Sequence, residues 1–445
     1  MIRCICFANI FAFTRTFNYL CKRKSHNPKT LSNEEYIRLH REDDVRRLAL
    51  TRAPEGVDHK WCLQQIEGWQ LARKKMPQWA ATDGLWYPVR LSMEQCSSEA
   101  TAQYKRQLVE RLIPEGQRHT MADLTGGLGV DFSYMAPLFD EATYVEILPE
   151  LLRLAEHNMP LLGIKQEKLR IENGDSSDNL QSSIFNVQLI FLDPARRDTA
   201  GRKTVGIADC TPNLLEMQDE LLAHAQWVMV KLSPMLDITD ALRQLKGVRE
   251  VHVVSVQGEC KELLFVMQAS PYPLPRRGHE PCSGKDGVTI HCVNLGTDED
   301  IVKMGYEDNE KMRKSSSLSH SLNLSISQFL YEPNASILKA GIQDILCERY
   351  GVWKLHPMSN LFVGDTLIPR FPGRRFRIVG MSDFSKKGLK ALVGDLHQAN
   401  LTIRNFPTPV AQLRRQLRLS EGGDVYLFAT TINDGQHVLI RCERA

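Results

Sequence analysis

Between residues 120 and 267, short apolar runs alternate with segments of helical period, and this alternation constrains the fold more than any other feature of the chain. The runs 142–146 (Ala-Thr-Tyr-Val-Glu), 169–175, 187–194 (Val-Gln-Leu-Ile-Phe-Leu-Asp-Pro) and 227–232 (Trp-Val-Met-Val-Lys-Leu) read as strands. Segments 148–162, 214–224 and 237–245, rich in Leu, read as helices. A first strand ends in the segment 121–131, Met-Ala-Asp-Leu-Thr-Gly-Gly-Leu-Gly-Val-Asp. Such an order requires a parallel sheet covered on both faces, with ligands received at the carboxyl ends of the strands. After the fifth strand, 250–256 and 262–267 are separated only by Gln-Gly-Glu-Cys-Lys. That gap is too short for a crossover helix, so an antiparallel hairpin is expected to finish the sheet.

The turn after the first strand is the candidate ligand cradle, formed by Asp123, Thr125, Gly126, Gly127, Gly129 and Asp131. Glycine lets backbone approach a ligand without a Cβ, and the helix that follows presents free N–H groups. The spacing departs from the dinucleotide pattern G-x-G-x-x-G. A carboxylate ahead of the loop repels a pyrophosphate and suits a cationic or amino-bearing ligand, a requirement that S-adenosylmethionine meets. The alternative is an ordinary strand-to-helix turn. Glu146, about twenty residues past the glycines, is placed to take both hydroxyls of a ribose. Asp175 either accepts from an adenine amino group or caps its own turn.

A mostly parallel sheet with an antiparallel end hairpin resembles the Rossmann-like class I S-adenosylmethionine-dependent methyltransferases. In that family Asp193-Pro194 stands where the catalytic motif follows strand four. The segments Met93-Glu-Gln-Cys-Ser-Ser-Glu99, Asp123-Leu-Thr-Gly-Gly-Leu-Gly129, Leu192-Asp-Pro-Ala-Arg-Arg197, Tyr331-Glu-Pro-Asn-Ala335 and Arg404-Asn-Phe-Pro407 occur in one order. Together they resemble a bacterial group of such methyltransferases with a THUMP-like domain at the C-terminus and a small ferredoxin-like domain before it. The resemblance implies an α/β fold with five parts. These are a leader (1–30), expected to be disordered; a helical region (31–94); a methyltransferase domain (95–270); a ferredoxin-like α+β domain with loops (271–364); and a THUMP-like domain (365–445). It implies a cofactor, S-adenosylmethionine, and names no substrate.

Methyl transfer from a sulfonium needs an aligned nucleophile and a place for its proton, which makes Asp193 the candidate catalytic group, with Pro194, Arg196 and Arg197 beside it. Amine methyltransferases of this superfamily carry two prolines and a stacking aromatic after the acidic residue, whereas Ala195 and Arg196 stand here. The run also resembles the Asp-Pro-Pro-Arg of uracil C5 enzymes, but those need a thiol after strand five, and this chain has Lys231-Leu-Ser-Pro234. Arg196 and Arg197 suit phosphate or carboxylate, or pair with Asp198 or Asp209 at the surface. Lys231 is either a strand-end cation near the substrate or a snorkelling surface lysine.

The chain has 445 residues, 42% hydrophobic and 24% charged, with formal net charge +3, so binding of nucleic acid would need a local patch. Its 11 cysteines are scattered without a C-x-x-C pair, which suggests reduced thiols in a cytoplasmic protein and no metal site. Near the start, 5–13 is apolar, but Arg15 interrupts before a small-residue cleavage site and the run is too short to span a bilayer. No membrane role is expected.

Ser32-Asn-Glu-Glu35 and Ser92-Met-Glu-Gln95 both read as capping boxes. Helix entry after the second would bring Gln95, Ser97 and Ser98 to the edge of the cofactor site. Gln64, Gln65, Trp69, Arg73, Lys74 and Lys75 suit either a nucleic-acid face or a solvated amphipathic helix with its tryptophan packed inward. From Arg370 to Arg418 the balance turns basic, with Arg374, Arg375, Arg377, Lys386, Lys387, Lys390, Arg404, Arg414 and Arg415 between them. Phe371, Phe376 and Phe406 are either stacking groups for bases or core. The resulting expectation is an RNA methyltransferase whose C-terminal module delivers structured RNA. The alternatives are an inactive cofactor-binding assembly factor and a methyltransferase of small molecules or proteins. Oligomeric state is open.

Overall fold

The computed structural model describes residues 31–175, 187–195, 206–269, 287–297, 301–306, 308 and 328–445. The leader, Arg196 and Arg197, the proline-rich stretch after Pro271 and the polar stretch 311–327 lie outside them. None of the described helices is long and apolar enough to cross a membrane. Two compact units divide the chain at Cys96 and Ser97.

The first unit is helical. Ser32 and Glu35 exchange both bonds of a capping box at the start of helix Asn33–His40, at 3.2 and 3.1 Å. The second capping box does not form: helix Arg90–Gln95 begins before Ser92, its N-cap is Val89, and no side chain caps it. On helix His59–Lys75, Gln65 is buried against the backbone of Tyr87 and Trp69 donates to the Ala80 carbonyl at 3.0 Å. Lys75 donates to the carbonyls of Met93 and Glu94. These bonds tie Gln65, Trp69 and Lys75 into the helical unit, with Trp69 half-buried beneath Arg41 and Arg73 and with Arg73 and Lys74 exposed.

The second unit is built on a nine-stranded sheet. Its strands are β1 (Thr120–Asp123), β2 (Glu141–Glu146), β3 (Leu169–Asn173), β4 (Val187–Leu192), β5 (Ala225–Leu232), β6 (Val248–Val256), β7 (Glu259–Met267), β8 (Thr289–Leu295) and β9 (Val302–Gly305), in the order β3-β2-β1-β4-β5-β7-β6-β8-β9. Strands β1 to β5 are parallel; β7 runs antiparallel to β5 and β6, as the short gap requires. Strand β4 shows how the apolar run works. Leu189 and Phe191 enter the core that holds Phe132 and Met159, while Ile190 and Leu192 enter the opposite core with Leu214 and Leu221. Both faces of the strand are therefore buried beyond Gln188, which bonds to Thr120 at the strand's start, and no polar residue follows until its end.

One expected boundary needs correction: the ferredoxin-like domain does not begin at 271, because 289–295 form β8, which pairs in parallel with β6 and extends the large sheet. Tyr331 and Glu332 sit in strand β10 (Phe329–Pro333), with helix Ala335–Ala340 following behind the Asn334 cap. Strand β10 belongs to a second, seven-stranded sheet with β11 (Trp353–Lys354), β12 (Phe362–Gly364), β13 (Gly373–Asp383), β14 (Asn400–Arg404), β15 (Val425–Thr431) and β16 (His437–Arg444). Ile337, Leu346, Phe362 and Phe371 share a core with Val251, Phe265 and Ile290 of the large sheet, so the two sheets pack through one apolar layer.

Candidate functional site

The ends of β1, β2 and β4 bring Asp123, Thr125, Gly126, Gly127, Glu146 and Asp193 together. The Thr125 amide donates to Asp123 Oδ1 at 3.0 Å, and Thr125 Oγ1 accepts from the Asp193 amide at 2.6 Å, which ties the glycine loop to the end of β4. The Gly126 amide donates to the Val145 carbonyl at 2.8 Å. Glu146 accepts from the amides of Gly127 and Leu148, at 2.7 and 2.8 Å, and so spans the ends of loop and strand. Asp175 lies just past β3, half-buried, two residues beyond Asn173, whose amide group donates to the Glu146 carbonyl at 3.1 Å.

The glycines do different jobs. A Cβ at Gly126 would lie 2.2 Å from the ring of Tyr144, and one at Gly129 would lie 2.1 Å from Met159 Cε. Both positions face protein, so a side chain at Gly129 would disturb packing rather than occupy ligand space. At Gly127, with φ of +61°, a Cβ would meet only the Thr125 carbonyl at 3.7 Å. The open face of the loop is therefore at Gly127, whose carbonyl is pinned by the Tyr144 hydroxyl at 2.6 Å.

Asp131 enters a buried charge network with Ser97 and Lys231 and with two residues, Lys105 and Glu262, for which the sequence raises no expectation. Lys105, on helix Glu99–Leu112, is 0% exposed; its Nζ is 3.0 Å from Asp131 and 2.7 Å from Glu262 Oε1. Ser97 donates to Asp131 at 2.7 Å and accepts from Lys105 and Lys231 at 3.3 and 3.2 Å. Lys231, 3.8 Å from Asp131, forms an ion pair with Asp193. This settles the open question about Lys231: it is a buried cation at the site, not a surface lysine. Burial by itself favours its neutral amine, but the charges of Asp193 and Asp131 outweigh this and hold it above its ordinary value. Burial, followed by the neighbouring Asp131, Asp193 and Glu146, raises Asp123 well above the carboxylate range. Pro194 is buried, and Ala195 exchanges backbone bonds with Thr211 at 2.8 and 2.9 Å. Ser98 caps helix Glu99–Leu112 through the Thr101 amide, and Gln95 ends a helix of the other unit.

Away from the loop, Glu250, His252 and His291 cluster within reach of a common ion. The histidine rings stack at 4.3 Å, and Glu250 accepts from His252 at 2.8 Å. Burial depresses both histidines, His291 to about 4, while burial of Glu250 is outweighed by hydrogen bonds from His252 and the fork of Arg111, which hold its carboxyl well below the usual range. That guanidinium occupies the carboxylate a metal would need.

Family models match the C-terminal part of the chain: a ferredoxin-like domain over residues 329–372 and a THUMP domain-like module over 373–444. Strands β10 and β13, one from each, pair directly, so the two form one sheet. A candidate methyltransferase of Porphyromonas gingivalis W83, known from its crystal structure, is 33% identical, superposes with a TM-score of 0.77 and covers 93% of this chain and 97% of its own. Two uncharacterized S-adenosylmethionine-dependent methyltransferases of Mycobacterium tuberculosis, from the CDC 1551 and H37Rv strains, are each 24% identical over 362 residues, 80% of this chain and 86% of theirs. With its sheet order, its glycine loop and both C-terminal modules in place, the chain belongs to the class I S-adenosylmethionine-dependent methyltransferases that carry ferredoxin-like and THUMP-like domains.

Proposed function

We propose that this methyltransferase acts on RNA, with the cofactor held at the β1, β2 and β4 ends and the RNA backbone gripped by the THUMP-like module. The residues of the loop fit the cofactor on two counts. The face at Gly127 is open where Gly126 and Gly129 are packed. Beside it the carboxylates of Glu146 and Asp193 close the strand ends, which suits a ligand carrying sulfonium and ammonium charges. When bound, the cofactor supplies a methyl group activated by positive sulfur. Glu146 would then accept from the ribose diol on lone pairs its backbone partners leave free, and Asp175 is placed for the adenine edge. Asp193 orients and receives the acceptor.

The observation that carries the RNA reading is the distribution of charge in the C-terminal module. Lys386, Lys387 and Lys390 on helix Lys386–Val393, with Arg415 and Arg418 at helix Val410–Leu417, are exposed. The rest of the expected patch is partly neutralised: Arg374 and Arg404 pair with buried Glu332, Arg377 with Glu443 and Arg414 with Glu421. Phe371 and Phe376 are buried core, and Phe406 packs on Phe384, so the surface offers charge rather than stacking. Such a face recognises phosphate without reading sequence. Replacing Lys386, Lys387, Lys390 and Arg415 together by Ala is expected to weaken RNA retention across sequences. It should also reduce the slope of log affinity against log salt by about 0.7 to 0.9 for each phosphate no longer neutralised. An unchanged slope in the folded variant would favour a protein or small-molecule substrate.

A further inference from the structure

We propose that the atom methylated is a ribose hydroxyl oxygen, with Asp193 taking the hydroxyl proton and Lys231 acting as the positioning residue that fixes the carboxylate. The proposal rests on the RNA reading above and names its acceptor. Its basis is a network in which Lys105 pairs with Asp131 and Glu262, Ser97 joins Asp131, Lys105 and Lys231, and Lys231 pairs with Asp193, assembled from the helix before β1, the glycine loop and the ends of β4, β5 and β7. Two lysines that share one serine hydroxyl inside a protein are costly, and a fold alone does not require them. Exposure rises along the network, from 0% at Lys105 through 12% at Lys231 to 38% at Asp193. Among the described residues, the chain of charges therefore opens most to an incoming group at the Asp193 carboxylate. Thr125 holds the backbone of that residue against the glycine loop at 2.6 Å, which places it next to the open face at Gly127.

The surroundings argue against the other acceptors. A planar base presenting an amine needs a stacking face. Instead, the residue after Pro194 is Ala195, bridged to Thr211, and no aromatic ring follows Asp193 in the motif. Attack through a ring carbon needs a thiol nucleophile, whereas the turn after β5 carries Ser233. A hydroxyl needs neither. It needs a fixed acceptor for a proton that it releases reluctantly, and a carboxylate locked to a buried ammonium supplies one. In RNA the ribose 2′-hydroxyl is such a group, present at every nucleotide. In the step, a C–O bond forms as the methyl–sulfur bond breaks. The electron pair of that bond stays on sulfur, which leaves as a neutral thioether, and the hydroxyl proton passes to Asp193.

The test uses the full-length protein, S-adenosylmethionine labelled in its methyl group, and total RNA from cells lacking the gene. Alkali cleaves RNA through the free 2′-hydroxyl, so ribose methylation leaves the label in dinucleotides that resist alkali. Label in those dinucleotides is the expected result. Label confined to mononucleotides would overturn the ribose assignment and leave the RNA reading standing, whereas no label entering RNA from a protein that binds the cofactor would overturn the RNA reading itself. A second measurement addresses Lys231 through binding. Lys231→Met is expected to hold S-adenosylhomocysteine within about threefold of the parent by calorimetry, since the lysine is bound to Asp193 and Ser97 and the open face of the loop is at Gly127. A loss of tenfold or more would place Lys231 in the cofactor cradle and overturn its assigned role. In the same variant Asp193 loses its counter-cation, so single-turnover transfer should fall by at least about tenfold while S-adenosylhomocysteine affinity holds, and Lys231→Arg should restore transfer to within a few-fold of the parent. An equal loss of transfer in Lys231→Arg and Lys231→Met would mean a purely structural role for Lys231.

Discussion

The two sheets of the larger unit handle charge in opposite ways. At the carboxyl ends of the large sheet, Lys105, Asp131, Glu262 and Lys231 are buried or nearly so and lie in ion-pair contact, ending at the half-buried Asp193. In the C-terminal sheet most charges are exposed, singly or in pairs such as Arg377 with Glu443, at side-chain exposures of 61% and 48%. A buried network is stiff and loses much when one member goes, because the partners are left uncompensated in a low dielectric. Exposed charges contribute little each, tolerate loss, and add up only against a polyanion. The difference separates a place where geometry is fixed from a place where affinity is accumulated.

The sharpest way to break this comparison is Lys105→Met, which strips Glu262 of its paired cation and leaves Asp131 with Lys231 at 3.8 Å. It is expected to cost about 3–5 kcal/mol of stability, the range for stripping one partner from a buried pair, as read by denaturant unfolding. A cost under 1 kcal/mol would show that the network is no stiffer than a surface pair. Next in size is Asp193→Ala, for which single-turnover transfer should fall by about a hundredfold while cofactor affinity stays within a few-fold. Transfer at the parental rate would remove Asp193 from the chemistry. Glu146→Ala should weaken cofactor binding by about 1–3 kcal/mol, the value of a hydrogen bond to a charged group, and titration calorimetry measures it. The smallest effect belongs to the C-terminal sheet: Arg377→Ala should change stability by no more than about 1 kcal/mol. A larger loss in the same unfolding assay would mean that this pair, too, belongs to the core.

The parts of the site that were legible in the sequence are those written locally. Asp123 to Gly129, Glu146 and Asp193 each close a strand, and an apolar run that stops at an acidic residue shows this without a structure. Lys105 and Glu262 meet across 157 residues, and no spacing rule connects them. A clue did exist: Thr101, Ala102, Lys105, Leu108 and Val109 form the buried stripe of one helix, and a lysine on such a stripe has to find a buried partner. Strand β8 was misplaced for a similar reason. Its pairing with β6 is parallel and crosses a long connection, so its neighbours in sequence say nothing about its neighbours in the sheet. The basic patch was overcounted because Glu332, 42 residues before Arg374 and 72 before Arg404, lies outside the window in which charges were compared.

The central claim is that the open face at Gly127 receives the cofactor. Calorimetric titration of S-adenosylmethionine into the parent and into Gly127→Val, each confirmed folded by its melting transition, tests this claim most directly. A side chain at Gly127 meets no packed neighbour, so the variant should keep its fold apart from local strain at φ +61°. The expected result is saturable binding by the parent and none by Gly127→Val. Equal affinity in both proteins would contradict the account.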